Sequence, residues 1–352
     1  MSMETLNRNS KPVNLALQGG GAHGAFTWGI LDKILEDGRL DIEAISGTSA
    51  GAMNAVAVAD GYTRDGPDGA RDALETFWRS MSAAARFSPV RRTPIDYFTG
   101  TWNLDRSPAY HISDALARIA SPYQINPMKL NPLRDLLIDS IDFDSVRACT
   151  AFKLFISATN VETGRVKVFP RDKLTPDMVM ASACLPNLYQ AVEIDGVPYW
   201  DGGYMGNPVL FPFYDETDVA DTIVIQINPI ERIGVPKTPQ EIQNRVNEIS
   251  FNSSLLKELR SIDFVDRLIR EGKLSTDDYR QVRLHIIENE EVLNSLGASS
   301  KMNTEWAFLT HLRDIGRSTA DQWLDKHFNS IGEHSSVDLR AMFQGIGGRH
   351  QG

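Results

Sequence analysis

The sequence predicts an α/β fold: a mostly parallel central sheet with helices on both of its faces. Through the first 60 residues, strand-like apolar runs alternate with segments of helical period, which is the pattern parallel βαβ units leave. Both strand-to-helix junctions in that stretch are rich in glycine, as tight βα turns require. The chain is also large enough. Its 352 residues, 42% of them hydrophobic, can bury one large core or a core plus an appendage.

Residues 13–17 (Val-Asn-Leu-Ala-Leu) read as the first buried strand. Gly19-Gly20-Gly21-Ala22-His23-Gly24 follows, then a helix over about 25–36 with Phe26, Ile30, Leu31, Ile34 and Leu35 on its apolar side. Glycines between a strand and a helix leave backbone N–H groups facing open space, which suits an anion. That anion could be the tetrahedral oxyanion of acyl transfer or a dinucleotide pyrophosphate. Gly19, Gly21 and Gly24 satisfy G-x-G-x-x-G, so a nucleotide-dependent oxidoreductase is the alternative reading. It wants an acidic residue at the end of the second strand. Here that strand, about residues 42–45, ends in Ser46-Gly47-Thr48-Ser49, and Asp41 and Glu43 lie at its start.

Gly47-Thr48-Ser49-Ala50-Gly51 then joins the second strand to a small, apolar helix over about 50–59. G-x-S-x-G at such a junction reads as a nucleophile elbow: a turn that pushes a serine hydroxyl out of the sheet leaves no room for a Cβ two residues to either side. The serine arrives at a helix N-terminus, where free N–H groups and the dipole favour developing negative charge.

A Gly/Asp-rich turn is expected over 61–69 and a helix over 70–81. Residues 86–102 carry three arginines, four aromatics and two prolines in neither strand nor helix period. They read as a surface loop, with a lid or lipid-facing rim as the sharper alternative. Further strands are expected at 152–158, 166–169, 222–227 and 283–287, and long helices at 239–272 and 304–328. Residues 192–199 form a hairpin pattern around Asp195-Gly196 and run into Trp200-Asp201-Gly202-Gly203. Asp201, after two aromatics at a strand end, is either a buried carboxylate with a partner or an Asx-turn residue. The tail after 332 is polar and glycine-rich, hence expected to be mobile.

Taken together, these motifs resemble the patatin-like phospholipases, lipid acyl hydrolases with a Ser–Asp dyad. The family's glycine-rich oxyanion loop matches residues 19–24, its elbow matches 47–51, and its D-G-[GA] motif matches Asp201-Gly202-Gly203. Ala181-Ser182-Ala183-Cys184-Leu185-Pro186 is similar to the family's small-residue helix end, and residues 121–135 resemble a bacterial branch with a C-terminal extension. The resemblance implies a three-layer patatin-type fold, a catalytic domain over 12–213 and an extension over 214–352. It implies Ser49 as nucleophile, Asp201 as base, and oxyanion donors from Gly19, Gly20, Gly21 and Ala50. Gly24, Gly47, Gly51, Gly202 and Gly203 would be structural. Burial beside Trp200 is expected to help make Asp201 a base. No cofactor is implied, and the partner would be a lipid or another acyl ester, with transient contact at a membrane surface. One position departs from the pattern: the loop residue that is usually Arg or Lys is His23, which is expected to be neutral at a helix start and no phosphate clamp. If position 23 reads headgroup charge, an arginine there is expected to raise activity on anionic phospholipid relative to a neutral ester. If a third catalytic group exists, His285 on a late strand is the candidate.

A net charge of −10 gives no basic field for nucleic acid. Seven histidines lie scattered without ligand spacing, and two cysteines make no disulfide framework. Residues 1–11 lack a signal-peptide apolar core, and no run of about 18 apolar residues appears, so a cytoplasmic protein is expected.

Overall fold

A computed structural model describes residues 10–344. Eight strands form one sheet: β1 (Lys11–Leu17), β2 (Leu40–Gly47), β3 (Lys153–Asn160), β4 (Val166–Pro170), β5 (Val192–Ile194), β6 (Val197–Asp201), β7 (Asp221–Ile225) and β8 (Arg283–Ile287). Their spatial order is β5-β6-β3-β2-β1-β7-β8, with β4 on β3. Strands β3, β2, β1, β7 and β8 run parallel, with β8 at the edge, and β4, β5 and β6 add antiparallel pairs at the β3 end. β7 and β8, from beyond residue 214, sit beside β1, so the later part of the chain completes the same sheet.

The alternation of side chains along each strand divides the core in two. Val13, Leu15, Leu17 and Ile45 face one cluster with α1 (Gly24–Asp37), α2 (Ala50–Ala84) and the helix Trp306–His327. Ala16, Ala44, Val224 and Ile286 face the other, covered by Leu255, Leu259 and Ile262 of the helix Pro239–Arg270 and by Phe213. The result is three layers, helix–sheet–helix.

Three local expectations change. The turn over 61–69 shrinks to a kink inside α2, where Asp65 (φ −152°) and Gly66 (φ 57°) leave helical space before Pro67 restarts the helix. Residues 86–102 are not all loop: Thr93 and Asp96 form a capping box on the helix Pro94–Thr99. That segment is pinned by Arg92, which is buried in an ion pair with Glu305 at 2.6 Å and stacked between the Tyr97 and Trp102 rings at 4.1 Å from each. The tail does not run free from 332. Ser336 donates its N–H to the Leu284 carbonyl, and the helix Leu339–Gln344 places Leu339, Met342 and Phe343 against the second cluster. Residues 345–352 lie outside the described residues. Asp195 (φ 51°) and Gly196 (φ 77°) make the β5–β6 turn with both central residues left-handed, the type I′ geometry that suits strand twist.

Candidate active site

Register brings the motifs together. Leu17 of β1 aligns with Gly47 of β2, and Gly47 aligns with Ile156 of β3. Two residues further along, Gly19, Ser49 and Ala158 therefore lie at one level, and Asp201 of β6 is the antiparallel partner of Ala158. This level sits at the C-terminal ends of the parallel strands, where open α/β sheets bind ligands.

Ser49 has φ 55° and ψ −120°, a strained conformation for a residue with a side chain, and it is the N-cap of α2. Its N–H donates to Ser182 Oγ at 2.8 Å, so the small-residue helix Pro176–Ser182 holds the elbow. The loop and elbow touch through absent side chains. A Cβ on Gly19 would stand 2.6 Å from Ser49 Cβ, and one on Gly51 would stand 2.3 Å from the Leu17 carbonyl oxygen. At Gly24, Gly47 and Gly202 a Cβ would likewise come within 2.7 Å of Ala50, Gly51 or Ser157. Gly51→Ala is expected to cost on the order of 3 kcal/mol, because backbone on both sides would have to move. Thermal melting checks it, and an unchanged Tm would contradict the close packing.

Asp201 is 3% exposed. Its Oδ1 accepts the Gly203 N–H at 2.7 Å, and it lies on the level of Ser49 in the sheet. It is thus both an Asx-turn residue and a buried carboxyl facing the elbow. Burial raises its pKa, the Gly203 and Ser49 hydrogen bonds pull it part of the way back, and it settles at about 7. Trp200 is not the wall that buries it: strand alternation sends Trp200 to the opposite face, while Asp201 shares its side with buried Tyr199. A Cβ on Gly203 would press on Asp201 Oδ1 at 3.0 Å and on the Phe251 ring at 2.9 Å.

The glycine loop is clamped by residues with no sequence signature. Gly19 donates its N–H to Asn207 Oδ1 at 2.7 Å, and its carbonyl accepts from Asn228 Nδ2 at 2.7 Å. Gln18 ties the same loop to Asn252 and to the Ile227 and Asn228 N–H groups. The Gly19 N–H, expected as an oxyanion donor, is therefore taken up by Asn207 in this structure. The N–H groups of Gly20, Gly21 and Ala50 meet no acceptor among the described residues and remain open. Gly21 has φ 60°, and a Cβ there would meet the Lys301 carbonyl oxygen at 2.5 Å.

The sequence profile of the patatin-like phospholipases matches residues 15–214. The chain belongs to that family. Among solved structures, this patatin is similar to VipD from Legionella pneumophila, with 16% identity over 88% of this chain and 67% of that one and a TM-score of 0.35. It is also similar to ExoU of Pseudomonas aeruginosa, solved in complex with SpcU, with 14% identity over 89% of this chain and a TM-score of 0.30. The chain spans about half of ExoU, 53% of its length. No curated protein matches.

In this patatin His23 is 3% exposed, and its Nε2 lies 2.7 Å from Ser300 Oγ. Ser300 donates its own proton to the Gly297 carbonyl, so Nε2 is the protonated nitrogen, and Nδ1 has no partner among the described residues. Burial, then Lys301 and Arg232, hold its pKa well below the ordinary value, and the ring is neutral at pH 7. The expectation that arginine at 23 would serve a headgroup changes accordingly, since the position faces inward. His23→Arg should instead unfold the loop's support at a cost of about 3 kcal/mol or more, because it buries a charge between two cations. Chemical denaturation tests it; a stable His23→Arg protein with higher activity on anionic phospholipid would show the side chain reaching the substrate.

The cation near the loop is Lys301. Its Nζ donates to Asn228 Oδ1 at 2.7 Å, and burial drops its pKa to about 8. Lys301 lines a cavity of about 310 Å³ together with Leu185, Leu188, Tyr204, Phe251 and Met302. Leu185 follows Cys184, whose carbonyl accepts the Asp201 N–H, and Tyr204 follows Gly203, so the cavity opens beside Asp201. A larger hollow of about 530 Å³, around Asp60, Asp142 and Arg147, involves none of these residues.

His285 belongs elsewhere. It is fully buried on β8, with Nε2 3.0 Å from Asp221 Oδ1 and Nδ1 3.1 Å from Ser336 Oγ. Burial would raise Asp221, but the hydrogen bonds of His285, Arg283 and the Gly332 N–H hold it at about 2. Three strand positions separate β8 from β2, and a Ser–His–Asp triad through His285 is ruled out. Among the described residues no group of three His, Cys, Asp or Glu side chains could hold a metal ion.

Proposed function

We propose that this protein hydrolyses carboxylic esters of lipids with Ser49 and Asp201 as a two-residue catalytic unit. The observation that carries the reading is a buried carboxyl, Asp201, on the same level of the sheet as a serine held at φ 55° at a helix N-terminus, with burial raising that carboxyl's pKa to about 7. Aspartate at its ordinary pKa is a weak base for a hydroxyl; poised near neutrality, it matches a general base's task. Ser49 Oγ attacks the acyl carbonyl and passes its proton to Asp201. The carbonyl oxygen becomes an oxyanion beside the open N–H groups of Gly20, Gly21 and Ala50, each such donor worth roughly 2.7–4 kcal/mol. Asp201 then protonates the leaving alcohol as the tetrahedral intermediate collapses to an acyl-serine. Water, deprotonated by the same carboxylate, attacks that ester and releases the fatty acid. The mixed lining of the 310 Å³ cavity, apolar side chains with the Lys301 ammonium, the Asp114–Arg118 pair and several amides, suits an acyl ester with a polar head.

The oxidoreductase reading needs the glycine loop for a pyrophosphate. Gly19 and Gly21 are instead required by Ser49 and by the Lys301 carbonyl, which supports acyl chemistry. Hydrolysis of p-nitrophenyl esters of rising chain length, then of phospholipid vesicles, tests the proposal. Turnover should rise with chain length. No hydrolysis of any ester, with tight binding of a nicotinamide dinucleotide, would reverse the choice.

A further inference from the structure

The helix Pro108–Ile119 is laid the wrong way round for a helix that serves the core. Tyr110, Ser113, Asp114, Ala117 and Arg118 line the cavity beside the dyad, and Tyr110 is its only buried residue. On the opposite side, Ile112, Leu116 and Ile119 stand at helical spacing, one stripe of apolar side chains in solvent, with Ile119 80% exposed. An amphipathic helix ordinarily turns its apolar stripe inward, since each large side chain left in water forgoes about 1.5–3 kcal/mol. The chain continues in the same manner: Ile125, Met128 and Leu130 are also exposed, Met128 at 76%. This segment is nevertheless fixed in place. The Ala191 N–H donates to Tyr123 Oη at 3.3 Å, and Gln190 Nε2 donates to the Asn126 carbonyl at 2.8 Å, which ties it to the chain just before β5.

Its charge runs against that of the whole chain. Residues 85–135 hold seven Lys/Arg against four Asp, while the chain has a net charge of −10. Arg106 and Arg118 pair with Asp96 and Asp114, Arg92 with Glu305 and Arg134 with Asp177, while Arg86, Arg91 and Lys129 are exposed and without an ion-pair partner among the described residues. Exposed apolar side chains and free cations in one segment, on a helix whose other side lines the cavity, fit the boundary of a bilayer that carries negative headgroups.

We propose that the stripe Ile112, Leu116 and Ile119, together with the free cations Arg86, Arg91 and Lys129 of the same segment, docks this protein on an anionic phospholipid surface and so delivers the cavity to its substrate. The docking rests on the ester-hydrolase reading only for its purpose; binding itself needs no catalysis. The test uses Ser49→Ala protein in co-sedimentation with vesicles of phosphatidylcholine alone or with about a third phosphatidylglycerol. The protein should sediment with the mixed vesicles, and added salt should weaken that binding. Replacing Ile112, Leu116 and Ile119 together by Ser should lower partitioning about tenfold or more, with the protein still folded and at most a small fall in Tm because all three side chains are largely in solvent. Arg91→Glu with Lys129→Glu should weaken binding to mixed vesicles and leave that to neutral ones alone. Absence of binding by the parent, or equal binding by the triple variant, overturns the proposal. So does a parent dimer that the triple variant dissolves in analytical ultracentrifugation, which would make the stripe a face for a second copy. If vesicles bind and no ester is hydrolysed by wild type, the catalytic reading fails and the docking surface stands.

Discussion

Ser49→Ala is expected to lower kcat/KM for ester hydrolysis by about 10⁴-fold or more, equivalent to about 5 kcal/mol of transition-state stabilisation. The hydroxyl is the atom that forms the acyl bond. Its neighbours Asp201 and Ser182 keep their other partners, since Asp201 is still held by the Gly203 N–H and the Ser182 bond is to the backbone N–H of residue 49. The fold should therefore survive, and near-native circular dichroism with no labelling by a fluorophosphonate probe is the expected pair of results. Ser49→Gly adds a control: at φ 55° glycine is unstrained, so it should melt no lower than Ser49→Ala while being equally inactive. Residual turnover above about a tenth of wild type in a folded variant would remove Ser49 from the chemistry.

Much of this site is legible in the sequence because its parts are steric. A serine elbow needs small residues on both sides, and a loop that approaches it needs glycine, so Gly19, Gly47 and Gly51 record the contact in the sequence itself. The same holds for Asp195-Gly196, where two left-handed residues set the turn that leads into β6 and Asp201. The strands and long helices are legible from apolar period. What holds the site is not. Asn207, Asn228, Gln18 and Ser182 act through single hydrogen bonds from distant loops, and an amide in a loop looks the same whether or not it clamps anything. The role of Gly19 escapes a sequence reading for that reason, since its N–H is spent on Asn207. Trp200 and His285 mislead for another: proximity in sequence is no guide to proximity in space. Strand alternation turns Trp200 away from Asp201, and the sheet order puts His285 three strands from the elbow. The helix Pro108–Ile119 escapes notice because its apolar stripe faces solvent, whereas period alone says nothing about which side a helix turns inward.

Asp201→Asn should lose about 10³–10⁴-fold in kcat/KM, since an amide keeps the shape of the carboxylate and cannot take the serine proton. Wild type should show the cause in its pH profile. Only ionised Asp201 can act as base, so kcat/KM should rise about tenfold per pH unit on the acid side and level off around the group's pKa of about 7. The same shift makes a prediction about stability with the opposite sign to a salt-bridged aspartate. In the unfolded chain the carboxyl ionises near its ordinary 3.8, whereas the native state keeps the proton up to about 7. Between those values the native state binds more protons than the unfolded one, so stability falls as pH rises, by up to about 1.4 kcal/mol per unit, and then levels. Below about pH 4 both states hold the proton and the penalty vanishes. An amide at this position does not titrate, so the stability of Asp201→Asn relative to wild type should increase from pH 4 to pH 7 by about 4 kcal/mol at most, while its activity is lost. Urea unfolding of both proteins across that range measures the difference. A difference that stays constant with pH, together with a flat wild-type rate profile between about pH 5 and 9, would mean that Asp201 is an ordinary ionised carboxylate and that another group takes the proton from Ser49.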